Sequence, residues 1–192
     1  MIFRSEQSFV VFIFYAMAKY IAFLRAINVG GRVVKMDDLK KMLAIPGFKN
    51  ITSYIQSGNI AFDHSETDKE VLINKVEAKL LKALGYEVKT FLRTPAELAT
   101  IVEHNPFKKI PEDMNLHVSF MSAPPDDDAV KQLLLLQTEH EQFRIAGSEA
   151  YILVKKGAYG ETKCSNTFLE KKLKIAATTR NWATVNKMIT FS

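Results

Sequence analysis

Short, dense apolar runs alternate along the chain with longer segments in which apolar residues recur every third or fourth position. "KYIAFLRAI" (19–27) has the length and apolar density of a buried strand. "MDDLKKMLAI" (36–45) places acids in its first turn and apolar side chains on one face, as a short helix does. "ITSYIQ" and "NIAFD" read as two strands joined through Ser57-Gly58, a hairpin signal. A long helix is predicted from Asp68 to Leu84, with Thr67 and Glu70 as a capping box and Gly85 as its stop. Leu72, Ile73, Val76, Leu80, Ala83 and Leu84 form its apolar stripe. "YEVKTFLRT" (86–94) follows as a strand. Strand, helix, strand, strand, helix, strand is the order of a ferredoxin-like split βαβ unit.

The second half varies the same theme. A connecting helix (Pro95 to Glu103) leads through the loop around Pro106 and Pro111 to the strand "NLHVSFMS" (115–122). After Pro124-Pro125 a helix begins with Asp126, Asp127 and Asp128, charges that suit a positive helix end. "EQFRIAG" and "AYILVKK" form a second hairpin around Gly147. A helix beginning near Thr167 and a last helix with Trp182, Val185 and Ile189 on one stripe complete the chain. No Gly/Ser-rich linker separates the halves, so two packed subdomains are expected, with a boundary near residue 95.

Composition narrows the function classes only partly. The 192 residues carry 26 basic and 21 acidic side chains, a net charge of +5 without a long block of either sign. That balance tolerates an anionic partner without requiring one. Cys164 is the single cysteine, which excludes an internal disulfide or a Cys-based zinc cluster and suits a reducing cytoplasm. Residues 1–18 stand apart as an apolar leader, its run from Phe9 ending in Ala16-Met17-Ala18. An export signal, a translation start at Met17 and an extra strand all fit that pattern; the run is too short to span a bilayer, and no stable membrane association is expected.

Candidate chemistry comes from topology. In a ferredoxin-like sheet the loop after the first strand and the hairpin between the second and third lie at the same end. Asn28, Gly30, Gly31 and Arg32 should therefore neighbour Gln56, Ser57, Gly58 and Asn59. Glycine turns let backbone N–H groups approach a ligand, and Arg25 and Arg32 add positive charge, so the cluster could hold a phosphate or carboxylate. Against this, the segment is neither G-x-x-x-x-G-K-[ST] nor G-x-G-x-x-G, and Asp37 and Asp38 compete for the next helix N-terminus. Turning the chain is a sufficient role for these glycines. Thr179 or Asn181 is expected to cap the final helix and Trp182 to pack in the core; in the functional version Arg180 reaches the loop cluster and closes a polar site. Cys164 has no histidine near it in sequence and reads as incidental. His64, His104, His117 and His140 lack metal-ligand spacing, so no metal and no cofactor are expected.

"FLRAINVGG", "KMDDL", "YIQSGNIAF", "SNTFLEKKL" and "TTRNW" resemble, in order, the bacterial domain-of-unknown-function family DUF1697, from about Lys19 to the C-terminus. The resemblance implies an α/β (α+β) fold of two tandem, packed ferredoxin-like subdomains with antiparallel sheets and a C-terminal helix. It brings no established activity, substrate or cofactor. Its motif residues here are Arg25, Asn28, Gly30, Gly31, Lys35, Met36, Tyr54, Gln56, Ser57, Gly58 and Asn59, then Asn166, Thr179, Arg180, Asn181 and Trp182.

These readings favour a small anionic or nucleotide-like ligand at the Asn28 and Gln56 turns. Nucleic-acid binding through a basic surface is the alternative, although "SGNIAFD" lacks the aromatic pattern of RNA-recognition strands. An enzyme built on the same cluster and a purely structural or interaction role also remain open.

Overall fold

The computed structural model describes residues 16–29, 31, 33–157 and 165–191. The first half runs β1 (Ala18–Leu24), α1 (Met36–Leu43), β2 (Lys49–Tyr54), β3 (Asn59–His64), α2 (Lys69–Leu84) and β4 (Thr90–Arg93). Its strands form an antiparallel sheet in the order β2-β3-β1-β4. After α3 (Pro95–Glu103) the second half repeats the plan with β5 (Met114–Met121), α4 (Asp127–Leu134), β6 (Glu141–Ala146), β7 (Glu149–Lys155), α5 (Asn166–Leu173) and β8 (Ala177–Asn181). The second sheet has the equivalent order β6-β7-β5-β8, and α6 (Trp182–Ile189) follows β8 directly. The mixed α/β fold with two ferredoxin-like sheets and a C-terminal helix is thus the one the pattern predicts.

Strand alternation explains the layers. Along β1, Tyr20, Ala22 and Leu24 join a core with Leu39 and Leu43 of α1 and Leu72, Val76 and Leu80 of α2. Ile21 and Phe23, one residue out of phase, join the core shared with the second sheet. Along β5 the same alternation sends Leu116, Val118 and Phe120 into that shared core, while Met121 packs with α4 and α5 residues behind. Phe23 and Phe120 stack across the junction at 4.4 Å between ring centroids. Full burial of such a ring contributes about 1.5–3 kcal/mol, so a strand apolar on both faces is what joins one half to the other. α3 and α6 close the side of the junction through Leu98, Ile101, Val185 and Met188, and Trp182 packs partly buried against them.

Several boundaries differ from expectation. The first strand stops at Leu24, because Ala26 and Asn28 both take positive φ (61° and 57°) and turn the chain. Only Thr90–Arg93 of the segment 86–94 is strand. Asp68, not Thr67, caps α2, accepting the N–H groups of Glu70 and Val71, while Gly85 ends it at φ 77° as expected. Strand β8 is absent from the sequence reading; its register against β5, His117 opposite Asn181 and Ser119 opposite Thr179, supplies the hydrogen-bonded partners that local pattern does not reveal. The apolar leader lies mostly, and Gly30, Arg32 and Cys164 wholly, outside the described residues.

Candidate functional site

The first loop and the β2–β3 turn meet, as the topology requires, and Asn28 is the clasp between them. Its Nδ2 donates to the carbonyls of Val34 (3.1 Å) and Gln56 (2.9 Å), and its Oδ1 accepts the Val34 N–H at 2.6 Å. The side chain is therefore committed to backbone. Gly58 holds φ 71°, and a Cβ there would sit 3.0 Å from the Leu24 Cβ and 3.2 Å from that of Ile27. Here glycine is required by both conformation and contact. Gln56 itself is exposed, and Gly31 adopts φ 82° with open space around it. Arg25 is engaged elsewhere, in a two-pronged pair with Glu170 of α5, at 2.7 and 2.6 Å. Burial alone would raise the Glu170 carboxyl, but the hydrogen bonds from Arg25 and the Ala177 N–H, with the Arg25 charge, hold it below its ordinary value.

Arg180 does reach the cluster. It is 8% exposed, and all five of its N–H donors are used. Nε donates to Oδ1 of Asn59, which is itself completely buried and donates to the Tyr54 carbonyl and the Ser57 hydroxyl. One terminal nitrogen donates to the Leu24 and Ser57 carbonyls (2.8 and 2.9 Å), the other to the Thr178 hydroxyl and Thr179 carbonyl (2.9 and 2.8 Å). The guanidinium lies 5.5 Å from the centroid of the Phe23 ring. Every hydrogen-bond acceptor is neutral, and among the described residues no carboxylate pairs with it. Burial lowers its pKa to about 10, so it remains charged at neutral pH. A buried cation held only by dipoles leaves positive potential at whatever surface it approaches.

That surface is a cleft of about 440 Å³, bounded by Ile55 and Ser57 of the hairpin turn, His117 of β5 and Thr179 to Asn181 of β8. Ser165 and Asn166 at the start of α5, and Thr184 in the first turn of α6, complete it. Both helix starts are capped inside the cleft: Ser165 accepts the Phe168 N–H, and Asn181 accepts the Thr184 N–H at 2.7 Å. Each cap claims one of the first-turn donors, and the others have no intrahelical acceptor. Asn166 Oδ1 accepts from the Thr179 hydroxyl at 2.7 Å, fixing the α5 start to β8. No described residue lining the cleft is acidic. At its rim Ile55, half exposed and β-branched, holds φ 48°, a conformation costing an L-residue about 1–2 kcal/mol. Strained backbone of this kind collects at functional sites.

Of the ten residues predicted for a site, Ser57 and Arg180 line the cleft, Asn28, Gly58 and Asn59 hold the loops that shape it, and Arg25 is engaged elsewhere. Asn181 caps α6, one of the two expected alternatives. His117 and Thr184 were not anticipated as neighbours of Arg180; nothing in the local sequence marks them, since only the β5–β8 register brings His117 beside Asn181. Burial holds the His117 imidazole below its ordinary pKa, partly opposed by a backbone hydrogen bond at Asn115. Among the described residues no group of three or more His, Cys, Asp or Glu side chains is placed to hold a metal, and no helix is long and apolar enough to cross a membrane.

The fold has a solved counterpart. The conserved bacterial protein SP0830 from Streptococcus pneumoniae superposes with a TM-score of 0.71 at 22% identity, over 91% of this chain and 98% of its own. At that identity the likeness shows the fold. No curated protein matches the chain. The family model described as "Protein of unknown function (DUF1697)" matches residues 17–151, which takes in the first loop, the hairpin and β5 and leaves the two C-terminal motifs beyond its span. With well over half of its residues matched, the chain belongs to the DUF1697 family.

Proposed function

We propose that this protein binds a small anionic ligand, best a phosphate group, in the cleft between the Ser57 turn and the starts of α5 and α6. One observation carries the reading: Arg180 is a buried cation without a carboxylate partner, directly beneath a cleft whose described lining contains no acid. Because the five Arg180 donors are already engaged, its part is electrostatic. The donors that would meet the anion are the first-turn N–H groups of α5 that Ser165 leaves uncapped and the hydroxyl and amide side chains of Ser57, Ser165, Asn166 and Thr184. A tetrahedral oxyanion accepts many such bonds at once, which suits phosphate better than a planar carboxylate. The binding face thus moves from the Asn28 side of the turns to the Arg180 side.

Asn166→Asp separates binding from folding. Aspartate is isosteric, keeps an acceptor for the Thr179 hydroxyl, and sits in a first helical turn where an acid is favoured. It also places a negative charge in the cleft. Calorimetric titration with inorganic phosphate should show binding to the wild type, and binding weakened by about tenfold or more in Asn166→Asp, a loss of about 1.4 kcal/mol, with an unchanged melting curve. Equal phosphate affinity in both proteins would remove the proposal.

A further inference from the structure

A second cavity adjoins the anion cleft and indicates what the anion is attached to. It holds about 520 Å³ and is walled by Ile110, Met114, Leu116 and Trp182, with Asn115 and Ala183 at its edge. His117 and Asn181, opposite each other in the β5–β8 ladder, line both spaces, so the two share a wall two residues wide. The first turn of α6 straddles that wall: Thr184 lines the anion cleft, while Trp182 and Ala183 line the second cavity. Each volume is in the usual range for a ligand pocket. One is lined by the buried Arg180 cation; the other presents an indole, a thioether and aliphatic side chains beside amide groups.

We infer that the ligand is bipartite, a phosphomonoester carrying a planar heteroaromatic ring such as a nucleoside monophosphate, with the phosphate over Arg180 and the ring against Trp182. This rests on the anion reading above and adds the substrate class. A flat ring packs on indole and Met114 with little ordering cost, and the Asn115 amide, with its donor and acceptor, together with the Nδ2 donor of Asn181, whose Oδ1 caps α6, can meet the polar edge of a purine or pyrimidine. A free inorganic phosphate would use only the first space. A lipid phosphate would place flexible chains in a cavity whose edge is amide-lined.

Trp182 is the only tryptophan in the sequence and lines the second cavity, not the anion cleft, so a change in its emission on ligand binding reports on the second cavity's side of the shared wall. The wild-type protein is titrated with adenosine 5′-monophosphate, inorganic phosphate and adenosine, following Trp182 fluorescence and, in parallel, heat. The nucleotide should bind at least ten times more tightly than phosphate and change Trp182 emission, whereas phosphate should bind without changing it. Ala183→Leu, an exposed position whose larger side chain intrudes on the second cavity, should abolish the advantage of the nucleotide and leave phosphate affinity within twofold. Trp182→Leu, read by heat, should do the same. Phosphate binding with no gain from the ring and no change at Trp182 overturns this inference and leaves the anion site standing. If neither phosphate nor nucleotide binds, both readings fall together.

Discussion

The side chains at the β2–β3 turn divide into those that build the turn and those that face the cleft, and their hydrogen bonds make the division. Asn28 spends its amide on Val34 and Gln56 backbone, in a left-handed conformation that asparagine tolerates better than most residues. Asn28→Ala strands those backbone groups and should cost about 1–3 kcal/mol, seen as a lower urea midpoint; wild-type stability in the variant would contradict the clasp. These residues stood out in the sequence because a ferredoxin-like topology brings the two turns, with their asparagine, serine and glycine, to one end of the sheet. What the sequence could not distinguish is a polar residue that binds a ligand from one that ties two loops together, because both need the same amide. Arg180 was ambiguous for the same reason, and only its burial among neutral acceptors resolves its part.

Helices and strands were legible to different degrees. α3 follows its prediction residue for residue, since Thr94, Pro95 and Glu97 supply cap, first-turn proline and capping box within four positions. The start of α2 shows the limit: "ETDKE" contains two capping candidates, and Asp68 wins by accepting two N–H groups. Asp68→Ala should therefore lower stability by about 0.5–2 kcal/mol, measured by thermal unfolding, while Thr67→Ala should leave it nearly unchanged; the reverse order would restore the predicted cap. β8 was illegible because "ATTRN" lacks an apolar run. Its buried inner face consists of Thr178 and Arg180, a pattern that reads as loop until β5 is alongside. The C-terminal motifs were visible as strings, yet their convergence on one cleft depends on a strand that the string does not announce.

At the scale of the whole molecule, three arginines cross between the halves: Arg25 to Glu170, Arg93 to Glu149, and Arg180 to Asn59 and the Leu24 and Ser57 carbonyls. Together with the Phe23–Phe120 stack they make the cleft a product of both ferredoxin-like units, which neither could form alone. Acid should loosen this assembly in two stages. Burial holds His64 and His117 below their ordinary pKa, the Lys75 charge adding to the effect at His64, so both resist protonation in the folded state. Their contribution is complete above about pH 6.5 and is lost as pH falls below it, because the unfolded chain then binds the protons. Glu97 and Glu170 are held low by hydrogen bonds and partner charges that outweigh burial, and their contribution disappears further down, below the ordinary carboxylate value. Urea midpoints at pH 7.5, 5.5 and 4 should fall in that order; a rise on acidification would contradict the assignment. The claim that the junction holds an anion is tested most directly by amide NMR during titration with inorganic phosphate at constant ionic strength. Saturable shifts should concentrate at the amides of Ser57, Asn166, Thr167 and Thr184 and at the Arg180 Nε–H. Shifts absent there, or centred instead on the Asn28 loop, would contradict the account.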